Sequence, residues 1–357
     1  MSTGGGLLRL TGAVDTDRRA ALGGKAVGLA ALLRAGLTVP DTWVVPVGAD
    51  PAGAELKALA GVAPRWAVRS SATVEDGAAL SYAGLFRSEL DVPVDDLADA
   101  IAAVRASADS DRVAAYRERT HAGSGLGVGM AVLLQPFRTP LRSGLWLGRG
   151  LGKGRLEWAA GSGDALVSGA VTPSWEEWTA AGRVGGWGLG ELEAGGRPVG
   201  AACLAVQQTL GVPADLEFAV LDTGLVWLQF RPMTSELVDA VPHRAQGPGE
   251  EGRTVHGTPA SSGRATGRAL WVREVDDPQW EPGTVLLTEQ TDPDWVPLMA
   301  EAAALVTAEG GMLCHAAIVA RELGVPCVTG VGADALARLA AGGTLVVDGS
   351  AGTVSMP

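Results

Sequence analysis

Residues 310–326 constrain this chain most, because they place a single histidine where a Gly-Gly turn meets the start of a short helix. The apolar pattern predicts a helix over residues 316–323, with Gly324 as the left-handed residue after it and Pro326 as its stop. Glycines let the backbone approach an anion closely, and the free N–H groups at a helix N-terminus attract negative charge. The same field disfavours imidazolium, so we expect His315 to be neutral and nucleophilic near neutral pH. The pattern therefore predicts a histidine that carries a phosphoryl group. The alternative, a polar residue that only begins a helix, is the commoner role of a lone histidine.

Composition defines the class of protein. With 357 residues, of which 47% are hydrophobic and 19% charged, the chain is globular and long enough for two domains. It has no apolar run long enough to span a bilayer and no signal-like N-terminus, so we expect a cytoplasmic protein. The three cysteines lack metal-ligand spacing, which predicts reduced thiols and no zinc site. The net charge of −12 argues against nucleic acids and anionic membranes as partners, so locally placed cations must meet any bound phosphate.

Lysine is rare in this chain, which draws attention to Lys25. Of the 28 lysine and arginine residues, only three are lysines. Lys25 ends a Gly-Gly-Lys turn that opens a helical pattern reaching Gly36. Such a turn can hold a phosphate oxygen through its backbone N–H groups and its ammonium. The spacing of a Walker A motif is missing, however, and a turn without a ligand is the more frequent outcome.

A short apolar strand over residues 66–68 runs into Arg69 and two serines, and a loop of small residues follows at 80–85. A guanidinium at the end of a strand, together with backbone N–H groups of a loop, suits a triphosphate. The candidate ligands in the loop are Ser81, Ala83, Gly84 and Leu85. A surface salt bridge of Arg69 beside a polar turn explains the same residues equally well.

Residues 215–220 and 225–232 form two apolar runs around an Asp-Thr-Gly turn, which predicts a β-hairpin. Alternation predicts that two sets share a face: Asp215, Glu217 and Ala219 on the first strand, and Trp227, Gln229 and Arg231 on the second. The side-chain oxygens of Glu217 and Gln229 suit Mg²⁺, and the charge of Arg231 suits phosphate oxygens. Polar residues on the solvent face of a hairpin are the alternative.

These segments resemble motifs of the PEP-utilising enzyme family, which includes pyruvate phosphate dikinase, phosphoenolpyruvate synthase and rifampicin phosphotransferase. Residues 310–326 resemble its phosphohistidine signature, and the similarity covers essentially all of residues 255–357, including TDPDW at 291–295. Residues 66–76 and 81–84 resemble the AVRSSA and SFAG elements of its nucleotide-binding half, with Tyr82 in place of phenylalanine. Residues 215–232 resemble its DIEW and LQ-x-RP elements.

The resemblance implies an α/β (α+β) protein, in which an ATP-grasp nucleotide-binding domain precedes a swivelling phosphohistidine β/α domain. We expect the first domain over residues 1–235, a flexible linker over 236–253 and the second domain over 254–357. No PEP/pyruvate barrel is expected.

The resemblance also implies ATP and Mg²⁺ as cofactors and assigns roles to individual residues. It makes His315 the catalytic residue, and Glu217 and Gln229 the metal ligands. The implied nucleotide contacts are Lys25, Arg69, Ser81, Ala83, Gly84, Leu85, Asp215, Arg231 and Gln135, the last in a strand leading to the adenine-binding hinge. Lys153, Arg112 and Arg117 are further candidates for phosphate contacts, with a solvated surface as the alternative for the two arginines.

The implied activity is an ATP-dependent phosphotransferase that moves a phosphoryl group from ATP to His315 and on to a small-molecule acceptor, giving AMP and phosphate. The alternative is a phosphocarrier subunit whose acceptor site lies on a partner protein. A degenerate regulatory homologue is a third possibility, against which the intact site residues argue. We expect the acceptor in the cleft between the domains, where Asp294 or Trp295 would contact it. A helix N-cap at Asp292 with Pro293 at the first helical position is the favoured alternative for that loop.

Overall fold

The structure, a computed structural model, describes residues 6–74, 86–110, 113, 128–233 and 254–357. In this part of the chain the helices are α1 (Arg19–Arg34), α2 (Gly53–Ala58), α3 (Leu97–Ala106), α4 (Asp164–Ser168), α5 (Val199–Leu210), α6 (Val296–Glu301), α7 (His315–Leu323) and α8 (Ala333–Ala340). The strands up to residue 232 are β1 (Leu8–Arg9), β2 (Trp43–Val45), β3 (Arg65–Ala72), β4 (Ser88–Pro93), β5 (Met130–Pro136), β6 (Arg142–Gly148), β7 (Lys153–Ala160), β8 (Ser174–Thr179), β9 (Gly182–Trp187), β10 (Glu193–Ala194), β11 (Arg197–Pro198), β12 (Ala214–Leu221) and β13 (Gly224–Pro232). The later strands are β14 (Thr254–His256), β15 (Thr258–Ser261), β16 (Arg264–Trp271), β17 (Val285–Thr288), β18 (Ala304–Thr307), β19 (Cys327–Thr329), β20 (Thr344–Asp348) and β21 (Thr353–Ser355).

The first sheet is antiparallel, has the order β1-β2-β5-β3-β4 and is covered by a helix on each face. Alternation along β5 divides its side chains between the two layers. Leu133 packs with Leu29 of α1, whereas Leu134 packs with Leu97 and Ile101 of α3. The strand that carries Arg69 is therefore packed between two layers, and it extends to Ala72, three residues beyond the expected end at Arg69.

The second sheet is also antiparallel, with the order β13-β12-β6-β7-β8-β9. One face packs against α5 and α1 through large buried side chains, among them Trp146, Phe218 and Trp178. Helix α1 therefore joins the two sheets into one core, and Gly28 of this helix lies directly against the backbone of Phe230 in β13. The other face of the second sheet borders a cleft.

The third sheet is built from residues after 253 and has the order β14-β21-β20-β16-β17-β18-β19-β15. Its centre, β16 to β19, is parallel. Parallel strands need both faces covered, and here alternate residues supply both layers: Leu286 faces the layer of α6 and α7, whereas Val285 and Leu287 face that of α8. This is the expected β/α domain.

Several expectations are confirmed. The hairpin over 214–232 and the helix after the Gly-Gly turn are present, and Gly324 ends that helix with φ +67°. The Gly-Gly-Lys segment also opens a helical stretch as expected, although a short helical stretch precedes it: α1 begins at Arg19, is broken at Gly23, at φ +76° and ψ +173°, and continues after that residue to Arg34. The break lets the backbone lie against the Ser71 carbonyl, where a Cβ would overlap that oxygen.

Further expectations concern the linker, two arginines, the cysteines and membrane-spanning helices. The linker at 236–253 and both Arg112 and Arg117 lie outside the described residues. The cysteines at 203, 314 and 327 are buried free thiols. Among the described residues, the helices lack the length and apolar character needed to cross a bilayer.

We predict that Gly23→Ala destabilises the protein by about 2 kcal/mol or more, because both the positive φ and the Ser71 carbonyl oppose a Cβ. The matched control is Gly36→Ala, which has the same backbone requirement at φ +75° but open space around it. This variant should lose about 1 kcal/mol of unfolding free energy, because only the strain of the positive φ applies there. Urea unfolding followed by tryptophan fluorescence measures both. Equal midpoints for the two variants would contradict the close packing at residue 23.

Candidate functional site

A cleft of about 470 Å³ lies between the first and second sheets. Both sheets line it, and the residues that matter below are Ala67, Arg69, Gln135, Leu145, Leu166, Val167, Glu217, Ala219, Val226 and Leu228. Its walls are mostly apolar, with a small number of charged groups that include Arg69 and Glu217. This is the usual make-up of a pocket for a nucleotide-sized ligand.

Two of the predicted cations lie along the middle of β3: Arg69 lines the cleft, whereas Lys25 contacts the adjacent strand residue and does not line it. The Nη1 atom of Arg69 lies 3.8 Å from Oε2 of Glu217 across the cleft, with both side chains largely buried. Lys25 places its Nζ atom 3.4 Å from Oγ of Ser70, the next residue on the strand. Ser71 fixes the helix that carries Lys25, because its hydroxyl accepts the Ala26 N–H at 3.1 Å and donates to the Leu22 carbonyl at 2.8 Å.

The hairpin of β12 and β13 brings the predicted acidic and amide groups together. Glu217 lies directly opposite Gln229, and Asp215 opposite Arg231 in the next pair of the same face. Asp215 and Arg231 form a hydrogen-bonded ion pair. The Oε1 atom of Gln229 is buried and finds no hydrogen-bond partner among the described residues. A buried amide oxygen beside a carboxylate is a donor set that fits Mg²⁺, which prefers hard oxygen ligands.

Strict alternation along β13 fails at Trp227. A β-bulge after Glu217 shifts the register, so that Trp227 pairs with Phe218. The Trp227 ring is buried in the core, edge to face with Phe218 at 6.1 Å between ring centroids. The prediction that Trp227 shares a face with Gln229 and Arg231 is therefore wrong, because the bulge adds one residue to β13 and turns the side chains beyond it over. Leu228 lines the cleft instead.

Gln135 lies at the predicted end of its strand and lines the cleft, but its side chain is already engaged. Its Nε2 donates to Thr42 Oγ1 at 2.9 Å, and Thr42 in turn donates to the Pro40 carbonyl. Lys153 begins β7, is exposed and does not line the cleft. The predicted loop ligands Ser81, Ala83, Gly84 and Leu85 lie outside the described residues.

His315 is the first residue of α7 and is only 2% exposed. Its Nδ1 lies 3.0 Å from Oγ1 of Thr291, while its Nε2 is buried and has no hydrogen-bond partner in the described part of the chain. Burial lowers the pKa of His315 to about 4. The ring is therefore neutral near neutral pH, as expected, but the principal cause is desolvation and not the helix dipole. With the proton on Nδ1 and donated to Thr291, the lone pair of Nε2 is available as a nucleophile.

The loop at 291–295 has a structural role. The Asp292 carboxylate accepts the Asp294 N–H at 2.8 Å, with Pro293 at the first position of a 3-10 helix, so the N-cap alternative is confirmed. Trp295 is buried in the core of the second domain. The hypothesis that Trp295 stacks on an acceptor is therefore wrong, because the ring fills the layer beside α6. Asp294 is exposed.

The histidine loop, residues 310–314, docks on the nucleotide-binding half. Met312 and Leu313 pack in one apolar cluster with Leu145, Leu166 and Val167, the same three side chains that line the cleft. The backbone N–H groups of Met312 and Leu313 donate to the two carboxylate oxygens of Glu157, at 2.9 and 3.0 Å. The loop before His315 therefore packs behind the wall of the cleft that contains Leu145, Leu166 and Val167.

Sequence reasoning missed two residues of this site. Thr291 stands within a segment that had been singled out, but its hydroxyl had no assigned partner. Glu157 interrupts the apolar run of β7, and a charged residue in a buried strand was an available signal. The backbone N–H groups that it accepts could not be identified from the sequence, since Met312 and Leu313 lie more than 150 positions away along the chain.

Comparison with known proteins adds two family matches. Residues 51–178 match the family "Pyruvate phosphate dikinase, AMP/ATP-binding domain", and residues 280–352 match "PEP-utilising enzyme, mobile domain". The first contains Arg69, Gln135 and Glu157, and the second contains Thr291 and His315.

Curated relatives agree with these matches. A probable phosphoenolpyruvate synthase of Methanothermobacter thermautotrophicus is 33% identical over 323 residues, which cover 81% of this chain and 46% of the relative. The phosphoenolpyruvate synthase of Pyrococcus furiosus is 31% identical over 338 residues, 81% of this chain and 40% of the relative. That of Aeropyrum pernix is 44% identical over 164 residues, 42% of this chain and 20% of the relative. The chain thus spans less than half the length of these relatives.

The buried histidine predicts a defined pH dependence of stability. Its folded pKa of about 4 is below the ordinary value of 6.5, so between these two values the unfolded chain binds a proton that the native chain does not. The neutral ring therefore makes its full contribution to the free energy of unfolding above pH 6.5, and this contribution is lost as the pH falls towards 4. Relative to His315→Asn, the wild type should lose about 2–3 kcal/mol of unfolding free energy over this window. Denaturant titrations at a series of pH values measure it. Parallel pH profiles for the two proteins would contradict the buried neutral state.

Proposed function

Because the chain belongs to the PEP-utilising enzyme family, we propose that it is an ATP-dependent phosphotransferase in which His315 carries the phosphoryl group. The observation that supports this most directly is the buried, neutral imidazole whose Nε2 has no partner among the described residues, on a loop that docks against the nucleotide cleft. A hydrogen bond to Thr291 holds the ring from its other nitrogen. This combination favours a nucleophile over a structural histidine, which would use both ring nitrogens.

In the first half-reaction, the Nε2 lone pair of His315 forms a bond to the β-phosphorus of ATP, the bond from this phosphorus to the oxygen it shares with the α-phosphorus breaks, and AMP leaves with the electron pair. One water then attacks the γ-phosphorus, the bond from the γ-phosphorus to the bridging oxygen breaks, and phosphate leaves, so that one phosphoryl group remains on His315. In the second half-reaction, an oxygen of a small-molecule acceptor takes the phosphoryl group and the imidazole is restored. The products we propose are AMP, phosphate and the phosphorylated acceptor, with one water consumed for each ATP.

Of the residues that share this work, Arg69, Gln135 and Glu217 line the cleft, whereas Lys25 lies beside it. Arg69 and Lys25 would bind phosphate oxygens and compensate their charge along β3. Glu217 and Gln229 would hold Mg²⁺, which neutralises charge on the phosphates when bound. Asp215 orients Arg231 through their ion pair. We also propose Gln135 and the loop residues Ser81, Ala83, Gly84 and Leu85 as contacts of the nucleotide.

Delivery requires the second domain to move. We propose that residues 236–253 are the linker between a nucleotide-binding domain over 1–235 and a histidine domain over 254–357. The acceptor, a small molecule, would bind in the cleft between the domains, where the histidine loop docks in a second position. The alternative is that a partner protein carries the acceptor site. In that case, purification from the native host would give a complex of this chain with its partner.

The test of this function is direct labelling. Incubation with Mg²⁺ and ATP carrying radioactive phosphorus at the β or the γ position should give a protein adduct that is labile in acid and stable in base. His315→Ala should abolish it, while retaining a folded chain by circular dichroism. Retention of β-label with release of γ-label as phosphate would support AMP as a product. Equal labelling of His315→Ala would rule out the phosphohistidine mechanism.

Replacing the carboxylate of the cleft tests the nucleotide site separately. Glu217→Ala should slow phosphorylation of His315 by about a hundredfold or more. Without this carboxylate the site would hold Mg²⁺ poorly, and the charge on the phosphates would not be neutralised. Glu193→Ala removes an exposed carboxylate of the same half that does not line the cleft, and it should react at the wild-type rate. Rapid-quench measurement of the labelled protein gives both rates. An unchanged rate in Glu217→Ala would mean that this face of the hairpin is only structural.

A further inference from the structure

Glu157 is a carboxylate of the nucleotide-binding half that is buried at the contact with the histidine domain. Its side chain is 1% exposed. Oε1 accepts the backbone N–H of Met312, and Oε2 accepts that of Leu313, two residues before His315. Two consecutive main-chain N–H groups of the histidine domain point at one carboxylate and form an anion site. The carboxylate of the nucleotide-binding half occupies this site.

The charged groups around this contact come from both halves. Arg155 donates its Nε to Oε1 of Glu157 at 2.9 Å and approaches Glu177 at 3.4 Å. Arg149 lies 3.6 Å from Glu177, and its Nη2 contacts the Met312 sulfur at 3.1 Å. From the histidine domain, Arg321 donates to the Met312 carbonyl at 2.9 Å. Within the described residues, Glu157 is the carboxylate that touches the N–H groups of the loop, whereas Glu177 belongs to the same network without touching them.

This geometry ties docking to the charge of the loop. A hydrogen bond from N–H to a carboxylate is charge-assisted and about twice as strong as a neutral one. The strength of this contact depends on the two N–H groups facing a single negative group whose side chain is buried. A phosphoryl group on His315 adds about two negative charges close to these N–H groups, which attract it, while Glu157 repels it.

We propose that Glu157 is the latch that docks the histidine loop on the nucleotide-binding half, and that phosphorylation of His315 opens this latch. The second part rests on the proposed function; the first does not. Glu157 is then a positioning residue: it holds the unloaded histidine where it can be phosphorylated, and it loses its hold once the loop has become anionic. The direction of the domain movement would follow from the charge on His315.

The first test uses hydrogen–deuterium exchange of the full chain without nucleotide, read by mass spectrometry on the peptide that contains residues 310–314. Glu157→Gln keeps the size of the side chain but offers only one acceptor oxygen. It should raise the exchange rate of this peptide by at least about tenfold, with peptides of β5 unchanged. Glu177→Gln is the matched control, because it removes a charge from the same network without touching the loop, and it should exchange as the wild type does. Should Glu157→Gln fail to fold by circular dichroism, Glu157→Asp retains the charge and withdraws it by one methylene. It should give a smaller increase in exchange.

Wild-type exchange in the Glu157 variant, or an equal increase in the Glu177 variant, would overturn the latch. A kinetic readout separates positioning from binding: Glu157→Gln should slow the phosphorylation of His315 at least about tenfold, with the affinity for ATP unchanged. A loss of ATP affinity with an unchanged maximal rate would place Glu157 in the nucleotide site instead.

The second test adds ATP and Mg²⁺ and measures phosphohistidine and exchange in the same sample. Exchange of the 310–314 peptide should rise in the wild type in proportion to the phosphorylated fraction, and it should not rise in His315→Ala. Phosphohistidine without faster exchange would overturn release by phosphorylation. Absence of phosphohistidine would instead count against the proposed function, and it would leave the latch to be decided by the first test.

Discussion

The burial of the His315 ring is the constraint on which the rest of this structure depends. A histidine in water is partly protonated near neutral pH, and the protonated ring is not a nucleophile. Burial lowers its pKa to about 4 and leaves Nε2 without a partner among the described residues, so the ring is both neutral and unsatisfied. If His315 carries a phosphoryl group between two substrates, as we propose, a ring buried in this way requires its domain to move.

The nucleotide cleft shows how a local irregularity sets a binding surface. In a regular hairpin, Trp227 would face the cleft beside Gln229, and Leu228 would face the core. The bulge beside Glu217 exchanges these directions, so that an aromatic ring fills the core and a smaller apolar side chain borders the cleft. Glu217 and Gln229 remain directly opposite one another, because they precede the shift in register. The hairpin thus keeps its polar pair and gains an apolar wall from the same few residues.

The contact between the domains joins these two features. The loop before His315 packs its apolar side chains on residues that line the cleft from the other side, while its backbone N–H groups meet Glu157. A Cβ at Gly311 would lie 2.5 Å from Oε2 of Glu157 and 2.6 Å from Cγ of Pro173, so a side chain there would displace the carboxylate from the docked arrangement. The adjacent Gly310 has the positive φ of the turn, at +104°.

Local patterns determined much of this protein from the sequence alone: the helix after the Gly-Gly turn, the hairpin with Glu217 opposite Gln229, and a neutral histidine at the start of the helix. These depend on the spacing of neighbouring residues, which fixes local backbone geometry and the face on which a side chain lies. Tertiary structure decided the rest. It put Trp295 in the core, turned Trp227 over at a bulge, broke α1 at Gly23 against Ser71, and paired Glu157 with N–H groups that belong to another domain. It also supplied the main cause of the neutral His315, since desolvation depends on what packs around the ring and not on the helix that carries it. Burial and long-range hydrogen bonds are properties of residues far apart in the chain, and no local pattern contains them.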